Sequence, residues 1–267
     1  MNASQVTSAD GTAIAYERYG YGPPLIVVGG ATCDRAKTRP TAQALGRRLA
    51  TLNYDRRGRG ASGDTAPYAV ERELEDLAAL IAAAGGSAAL YGHSSGAGLV
   101  LHAVAAGLPV TRFVLHDPPY VPDDEAMKRE ARAYATELDS LLAADRHGDA
   151  VALFFRTTGM PDEMVDVVRQ EPGWASLERL APTLAYDSAV MGDASHGGVV
   201  PADVVARADK PGLVLCGGEN PAFMREVGEQ VSSLLPNGEL RVLDGQGHVV
   251  PPELLAPIVA EYVVGEQ

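Results

Sequence analysis

A serine flanked by glycines on both sides has the clearest chemical potential in this sequence. Gly92-His93-Ser94-Ser95-Gly96 fits the pattern G-x-S-x-G, in which a strand turns sharply into a helix and lifts the serine hydroxyl above a sheet. Such a turn brings backbone segments close together, so only small residues fit two positions either side of the serine. Ser95 is a rival nucleophile, but the glycines are symmetric about Ser94. The pattern predicts that Ser94 is a nucleophile; the alternative is a glycine-rich turn with a solvent-facing serine.

A histidine near the end of the chain is the candidate base for this serine. His248 follows a predicted strand and ends the sequence Gly245-Gln246-Gly247-His248. It would take the proton of Ser94 and return it to the leaving group. The other histidines stand at less suggestive positions, although His196, in a glycine-rich loop, is a candidate for the wall of a substrate pocket. These other histidines are His93, His102, His116, His147 and His196.

Three segments together resemble the α/β-hydrolase family, over essentially the whole chain. The first is the serine turn, and the second is residues 53–62, which contain a D-x-R-G-x-G-x-S loop beginning at Asp55. The third is the G-x-G-H sequence that ends at His248, and the serine precedes the histidine as the family requires. The resemblance implies an α/β-hydrolase fold, with a mostly parallel central sheet flanked by helices. It also implies that Asp55 and its neighbouring arginines brace loops beside the site.

The residue that would orient His248 departs from the family's usual pattern. Many members have an aspartate where this chain has Asn220, and an asparagine cannot stabilise an imidazolium as a carboxylate does. We favour Asp117, because it ends a strand expected to adjoin that position and some members place their acid there. Glu219 could replace Asn220, or Asn220 could act as a neutral orienter beside a dyad. The structural alternative for Asp117 is a loop residue that caps backbone amides.

Two backbone N–H groups are candidates for an oxyanion hole. The N–H of Ser95 is free because it begins a helix, whose dipole also favours negative charge there. In the family the second donor comes from the loop after the first central strand, which commonly begins His-Gly. Here that loop reads Val28-Gly29-Gly30-Ala31-Thr32, so the donor is expected to be Ala31, with Gly30 as the alternative. The structural alternative is a plain turn.

The periodicity predicts one α/β domain with a helical cap inserted into it. Short apolar runs alternate with helical patterns up to Asp117, which implies parallel strands joined by helical crossovers, after a hairpin at the sheet edge. From about residue 120 to 205 only helical patterns occur. The predicted core is therefore residues 1–119 and 206–267, and the predicted cap is residues 120–205. The predicted strands are 4–9, 12–19, 24–30, 50–55, 88–93, 112–117, 212–217 and 239–244, and the predicted helices include 36–49, 70–84, 95–106, 123–146, 148–158, 161–170, 173–186 and 253–264.

Composition and charge argue against several classes of function. The formal net charge is −13 and the one dense basic run is residues 56–59, so no nucleic-acid surface is expected. No apolar stretch approaches the roughly 18 residues of a membrane span, and no signal peptide is visible at the start of the sequence. Two cysteines do not make a disulfide framework, and no HExxH or other metal pattern occurs. We expect a cytoplasmic monomer or homodimer without cofactor or metal.

The predicted cap should supply an apolar substrate pocket, with Phe155, Trp174 and Tyr186 as candidates beside His196. The leading hypothesis is a cofactor-free serine hydrolase of a small or medium apolar ester, thioester or lactone. The first alternative is a lyase, cyclase, C–C hydrolase or haloperoxidase-like enzyme of secondary metabolism on the same fold, because fold does not settle function. The second alternative is a non-catalytic ligand-binding protein.

Overall fold

Eight strands form one sheet in the computed structural model, which describes residues 4–265. The strand order is β1-β2-β4-β3-β5-β6-β7-β8, and β2 pairs antiparallel with both β1 and β4, whereas the other neighbours are parallel. The mostly parallel α/β-hydrolase fold predicted from the sequence is confirmed. The strands are β1 Ser4–Thr7, β2 Ala13–Tyr19, β3 Pro24–Val28, β4 Ala50–Tyr54, β5 Ala88–His93, β6 Val110–His116, β7 Gly212–Gly217 and β8 Gly238–Leu243.

Helices cover both faces of this sheet, and α4 to α10 stand between β6 and β7 in the chain. We call residues 125–207, which contain these seven helices, the insertion. The helices are α1 Arg35–Leu45, α2 Val70–Ala83, α3 Ser95–Ala105, α4 Glu125–Ala143, α5 His147–Thr157, α6 Asp162–Val168, α7 Trp174–Leu180, α8 Leu184–Met191, α9 Asp193–His196, α10 Ala202–Arg207, α11 Ala222–Leu234 and α12 Pro252–Val264.

The central strands are apolar throughout because both of their faces are buried. In β3, Ile26 faces a core shared with α2, α3 and α11, while its neighbour Leu25 faces a second core under α1 and α12. Successive side chains of a strand point to opposite faces, so an unbroken apolar run such as that of β3 serves two cores at once. The sheet is thereby fixed from both sides, and the carboxyl ends of its strands become a rigid platform.

The insertion has an apolar cluster of its own and also packs on the sheet's helices. Leu138, Val151 and Leu184 are among the fully buried residues of this cluster. Helix α8 lies directly against α3, where a Cβ atom on Gly98 would stand 2.9 Å from the sulfur of Met191. The predicted boundaries of core and cap stay a prediction, and residues 1–3 and 266–267 of that division lie outside the described residues.

The single helix predicted for residues 173–186 is wrong in this structure. Helix α7 ends at Leu180, a 3₁₀ turn follows at Ala181–Thr183, and α8 begins at Leu184. Pro182 sits in that turn, and a proline ring has no N–H for the helical ladder and clashes with the preceding turn. Helix α8, which follows this break, packs against α3.

Candidate active site

Ser94 stands on a strained turn between β5 and α3. Its backbone angles are φ 56° and ψ −129°, which residues other than glycine rarely adopt. The Ser94 N–H donates to the carbonyl of His116 on the neighbouring strand at 2.9 Å, which anchors the turn. A Cβ atom at Gly92 would lie 2.4 Å from the Gly96 oxygen, and one at Gly96 would lie 2.3 Å from the Val28 oxygen. Both glycines are therefore required by contact with backbone.

The structure brings His248 to Asp117, which is one of the three acid or orienter candidates. Asp117 follows β6, also with a positive φ of 48°, and its fully buried carboxylate lies 3.3 Å from the imidazole, measured from Oδ2 to Nδ1. Burial raises the pKa of Asp117, but His248 and the other groups around the carboxylate outweigh it and hold the pKa below its usual range. Asp117 is thus an ionised neighbour of the histidine at neutral pH.

Asn220 contacts the carboxylate of Asp117. Its side-chain Nδ2 donates to Asp117 Oδ2 at 2.9 Å, and the backbone N–H of Gly217 donates to Oδ1 at 3.1 Å. These donors leave the carboxylate fixed in one orientation towards His248. Glu219 is exposed, and its backbone N–H donates to the carbonyl of Gln246 at 2.9 Å. The geometry therefore gives Asn220 a partner that sequence reasoning had not assigned to it.

His93, at the variable position of the serine turn, holds the main chain of His248. Its Nε2 donates to the His248 carbonyl at 2.8 Å, which fixes the Nε2–H tautomer of His93. The rings of His93 and His248 are tilted to each other with centroids 4.6 Å apart, and the ring of His116 lies 4.9 Å from that of His93. Sequence reasoning missed this contact, and the only signal for it was a histidine adjacent to Ser94.

Two of these three imidazoles are neutral at physiological pH. Burial, aided by the charge of His248, lowers the pKa of His93 to about 4, and burial, aided by His93, lowers that of His116 to about 3. The Nδ1 of His116 lies 2.7 Å from the hydroxyl of Tyr91. The Tyr91 hydroxyl stays protonated because burial raises its pKa. His93 and His116 therefore place no positive charge beside His248 at physiological pH.

The lowered pKa values predict a loss of stability in mild acid. The unfolded chain binds protons at His93 and His116 below pH 6.5, whereas the folded chain does so only near pH 4 and pH 3. In that window each of these residues should reduce the free energy of unfolding by up to about 1.4 kcal/mol per pH unit as the pH falls. Urea denaturation at pH 7, 6 and 5 measures this slope.

Two variants test whether a buried histidine, rather than the rest of the chain, causes the pH dependence of the free energy of unfolding. His93→Gln keeps a donor for the His248 carbonyl and should flatten the slope between pH 6.5 and 5. The same replacement of His196, which is exposed, should leave the slope unchanged. Equal slopes for His93→Gln and the unaltered protein would contradict the assignment.

The loop after β3 lies against Ser94. A Cβ atom at Gly30 would stand 2.8 Å from the Cβ of Ser94 and 3.4 Å from its Oγ. The Gly30 carbonyl accepts a 2.6 Å hydrogen bond from Arg59, and because a trans peptide is planar, the Ala31 N–H must point away from Arg59. Within residues 4–265, the N–H groups of Gly30 and Ala31 have no hydrogen-bond partner. Both predicted donors of this loop are therefore available for a ligand.

The basic run at residues 56–59 is buried and internally neutralised. Arg56 donates from Nε and Nη2 to the two carboxylate oxygens of Glu73, both at 2.7 Å. Arg57 makes the same kind of paired contact with Asp76, at 2.8 and 2.7 Å. Asp55 accepts from the backbone N–H of Arg35 at 2.6 Å, in the loop next to the site. These contacts agree with a bracing loop.

A buried carboxylate of the insertion reaches into the same network. Asp187, on α8, contacts Arg56, Arg59 and the hydroxyl of Ser95 at distances of 2.7 to 2.9 Å. Burial raises its pKa, but the two arginines outweigh that effect and hold the pKa below its usual range. Sequence reasoning missed Asp187, because nothing in the local pattern of α8 marks it.

The four residues predicted to line a substrate pocket do not all line the same cavity. Trp174 lies edge-on to Phe155 with centroids 6.1 Å apart, and it lines a cavity of about 460 Å³ that also contains Thr32 of the loop after β3. Tyr186 stacks on Tyr68 at 3.8 Å. His196 lines a separate cavity of about 380 Å³ together with His102. The roles of Phe155, Trp174, Tyr186 and His196 in a substrate pocket stay predictions.

Residues 4–265 contain no group of three or more His, Cys, Asp or Glu side chains arranged to hold a metal ion. In the same part of the chain, no helix has both the length and the apolar character needed to span a membrane.

Comparison with known proteins agrees with this architecture. A sequence model described as the alpha/beta hydrolase family matches residues 25–258. The chain belongs to the alpha/beta hydrolase family. An alpha/beta hydrolase from Sphaerobacter thermophilus has a similar structure, with 46% identity and a TM-score of 0.87 over 97% of this chain and 99% of that one.

Two curated relatives in this family are hydrolytic enzymes. The 2-(acetamidomethylene)succinate hydrolase of Mesorhizobium japonicum is 28% identical over 91% of this chain and 89% of its own length. The N-formylmaleamate deformylase of Pseudomonas putida is 40% identical over 117 residues, which are 42% of this chain and only 44% of that relative. An esterase from Thermogutta terrifontis shares the fold, with 23% identity and a TM-score of 0.70 over 99% of this chain and 98% of that one. This member of the alpha/beta hydrolase family is an enzyme of the hydrolase type.

Proposed function

We propose that this enzyme is a cofactor-free serine hydrolase that works through an acyl-enzyme on Ser94. The observation that carries the proposal is the contact of the buried Asp117 carboxylate with Nδ1 of His248, 3.3 Å away, beside a serine held on a strained strand-to-helix turn. A carboxylate near Nδ1 favours the histidine tautomer that can accept a proton at Nε2, and it stabilises the imidazolium that forms. The proposal further requires that the Ser94 hydroxyl reach Nε2 of His248 during the reaction.

In the proposed reaction, Ser94 Oγ attacks the substrate carbonyl while His248 takes the hydroxyl proton. The N–H groups of Ser95 and Ala31 hold the tetrahedral oxyanion, with Gly30 as the alternative donor. The intermediate collapses to a Ser94 acyl ester as His248 gives the proton to the leaving group. Water then attacks this ester with His248 as base, and the acid is released with Ser94 regenerated.

Apolar surroundings favour a small or medium apolar ester, thioester or lactone as the substrate. Ala31 packs against the apolar cluster of the insertion, which includes Leu138 and Trp174. The arginines near the site, Arg56 and Arg59, are each paired with buried carboxylates. They are therefore not free to bind a charged group of a substrate.

A second candidate is hydrolysis of an N-acyl bond. The names of the two curated relatives describe removal of a formyl group and hydrolysis of an acetamido compound. The same steps serve an amide, provided that His248 protonates the nitrogen that leaves. The lyase, cyclase, C–C hydrolase and haloperoxidase-like alternatives are outcomes of the test below.

Labelling with a fluorophosphonate probe tests the proposal, and we expect one covalent adduct, located by peptide mass spectrometry on Ser94. Hydrolysis of p-nitrophenyl esters of two to eight carbons, a thioester, a lactone, an N-formyl amide and an N-acetyl amide should be measured alongside. Activity on at least one acyl substrate, abolished in proportion to labelling, is the expected result. A well-folded protein that is neither labelled nor active on any of these substrates would contradict it.

A further inference from the structure

Asp187, a buried carboxylate of the insertion, is connected to both segments of the predicted oxyanion hole. It contacts Ser95 directly, and it is linked to the loop after β3 through Arg59 and Arg56. Asp187 Oδ1 accepts the hydroxyl of Ser95 at 2.7 Å, and the backbone N–H of that serine is one proposed donor. The same carboxylate accepts two hydrogen bonds from Nη2 of Arg59, at 2.9 Å to Oδ1 and 2.8 Å to Oδ2. It also accepts one from Nη1 of Arg56 at 2.7 Å.

The two arginines hold the carbonyls of the other donor segment. Arg59 Nη1 donates to the Gly30 oxygen at 2.6 Å, and Arg56 Nη1 lies 3.3 Å from the Gly29 oxygen. A guanidinium is a planar fork, so fixing one of its nitrogens fixes the others. The position of Arg59 thereby determines the plane of the peptide between Gly30 and Ala31, and with it the direction of the Ala31 N–H.

The charge balance makes Asp187 indispensable to this arrangement. Arg56 has a second carboxylate in Glu73, but Asp187 is the one acidic side chain in contact with Arg59 within residues 4–265. All four side chains are buried, and an unpaired charge in such a place is strongly disfavoured. Without the Asp187 carboxylate, Arg59 would be expected to turn towards water and release the Gly30 carbonyl.

We propose that Asp187 is a positioning residue of the oxyanion hole, which is formed only while α8 of the insertion is docked on the core. The proposal rests on the proposed acyl-transfer function. Asp187 belongs to the insertion, whereas Ser95, Arg56 and Arg59 belong to the sheet-bearing part of the chain. The seating of α8 is thereby coupled to the ability of the site to stabilise negative charge.

The test compares Asp187→Asn with a matched control, Asp76→Asn. Asp76 is also buried and pairs with Arg57 through two hydrogen bonds, whereas the other hydrogen bonds of Arg57 within residues 4–265 go to Asp10 and Arg72 and not to the loop at residues 29–33. The measurements are kcat and KM per active site, titrated with the fluorophosphonate probe. They are joined by the Ki of a trifluoromethyl ketone, which forms a hemiketal oxyanion on the serine.

We expect Asp187→Asn to lower kcat by about 10- to 100-fold with KM changed less than about threefold, since a misdirected donor should cost somewhat less than a missing one. The Ki should rise in proportion to the fall in kcat. Asp76→Asn should lower the Tm while kcat per active site stays unchanged. Arg59→Lys keeps the charge that faces Asp187 but removes the fork, so it should reproduce the selective loss in kcat even if Asp187→Asn does not fold.

Several results would overturn the proposal. An unchanged kcat in Asp187→Asn and Arg59→Lys, a Ki that does not follow kcat, or an equal loss of kcat in Asp76→Asn would each do so. Failure of the proposed function looks different, because the unaltered enzyme would then neither be labelled at Ser94 nor bind the ketone covalently.

Discussion

Replacement of Ser94 by alanine is expected to lower kcat by about 10⁵- to 10⁶-fold, the scale seen when a serine nucleophile is removed from a triad. The physical reason is that no other group at the turn can form the acyl bond, because the Ser95 hydroxyl is committed to Asp187 at 2.7 Å. The measurement is steady-state turnover of the best substrate from the acyl panel, with probe labelling as an independent readout.

A second serine variant shows whether replacing a serine elsewhere in the chain also lowers the activity. Ser140 is exposed on α4, where its hydroxyl donates to the Thr136 carbonyl at 2.9 Å, and Ser140→Ala should retain full kcat and labelling. If Ser94→Ala keeps its turnover while losing only the label, the chemistry does not pass through an acyl-enzyme. That outcome would favour a lyase or cyclase on this fold.

The variant Asp117→Asn is expected to lower kcat by about 10⁴-fold while the fold is retained. An asparagine presents either an N–H or a carbonyl to Nδ1 of His248, and neither stabilises the imidazolium that the reaction creates. The pH dependence of kcat/KM and the Tm should be measured together, since a purely structural role for Asp117 would change the Tm alone.

Two further variants decide between the candidate acids. Glu219 is exposed, so Glu219→Gln should leave kcat unchanged. The Asn220 amide lies 2.9 Å from the Asp117 carboxylate, so adding Asn220→Asp to Asp117→Asn should restore part of the lost kcat by supplying an acid from the neighbouring strand end. Retention of kcat in Asp117→Asn, with a large loss in Asn220→Ala, would reverse the assignment.

Local patterns were sufficient to predict the sheet and most of the helices. The residues of β3 must be apolar because both faces of the strand are buried, and the residues around Ser94 must be glycine because backbone lies against them. Both requirements restrict the residue type directly, so they can be recognised in the sequence. The break between α7 and α8 was missed because the helical periodicity continues on both sides of Pro182 and outweighed that single residue. The short helices α9 and α10 were also not expected, since four and six residues give too little periodicity to detect.

Contacts that depend on packing between distant segments could not be predicted from the sequence. Asp187 lies 131 residues after Arg56 in the chain, and its carboxylate is buried only because α8 docks on α3. The favoured assignment of Asp117 rested on adjacency of strand ends, and the structure does bring its carboxylate next to His248. The partner of Asn220 depended on side-chain orientation, which neither periodicity nor motif spacing encodes.

The chain segments on either side of helices α4 to α9 pair with each other. Val121 and Val199 form a parallel bridge, and the Val121 N–H donates to the Gly198 carbonyl at 2.8 Å. A segment whose ends are so close can be exchanged as a cassette, because chimaeras with insertions from other family members would join without moving the strands. Such a chimaera would need an acidic side chain where Asp187 stands, or Arg59 would lose its counterion. Exchange of this segment would therefore vary the residues around the substrate, but only among segments that have a carboxylate at the position of Asp187.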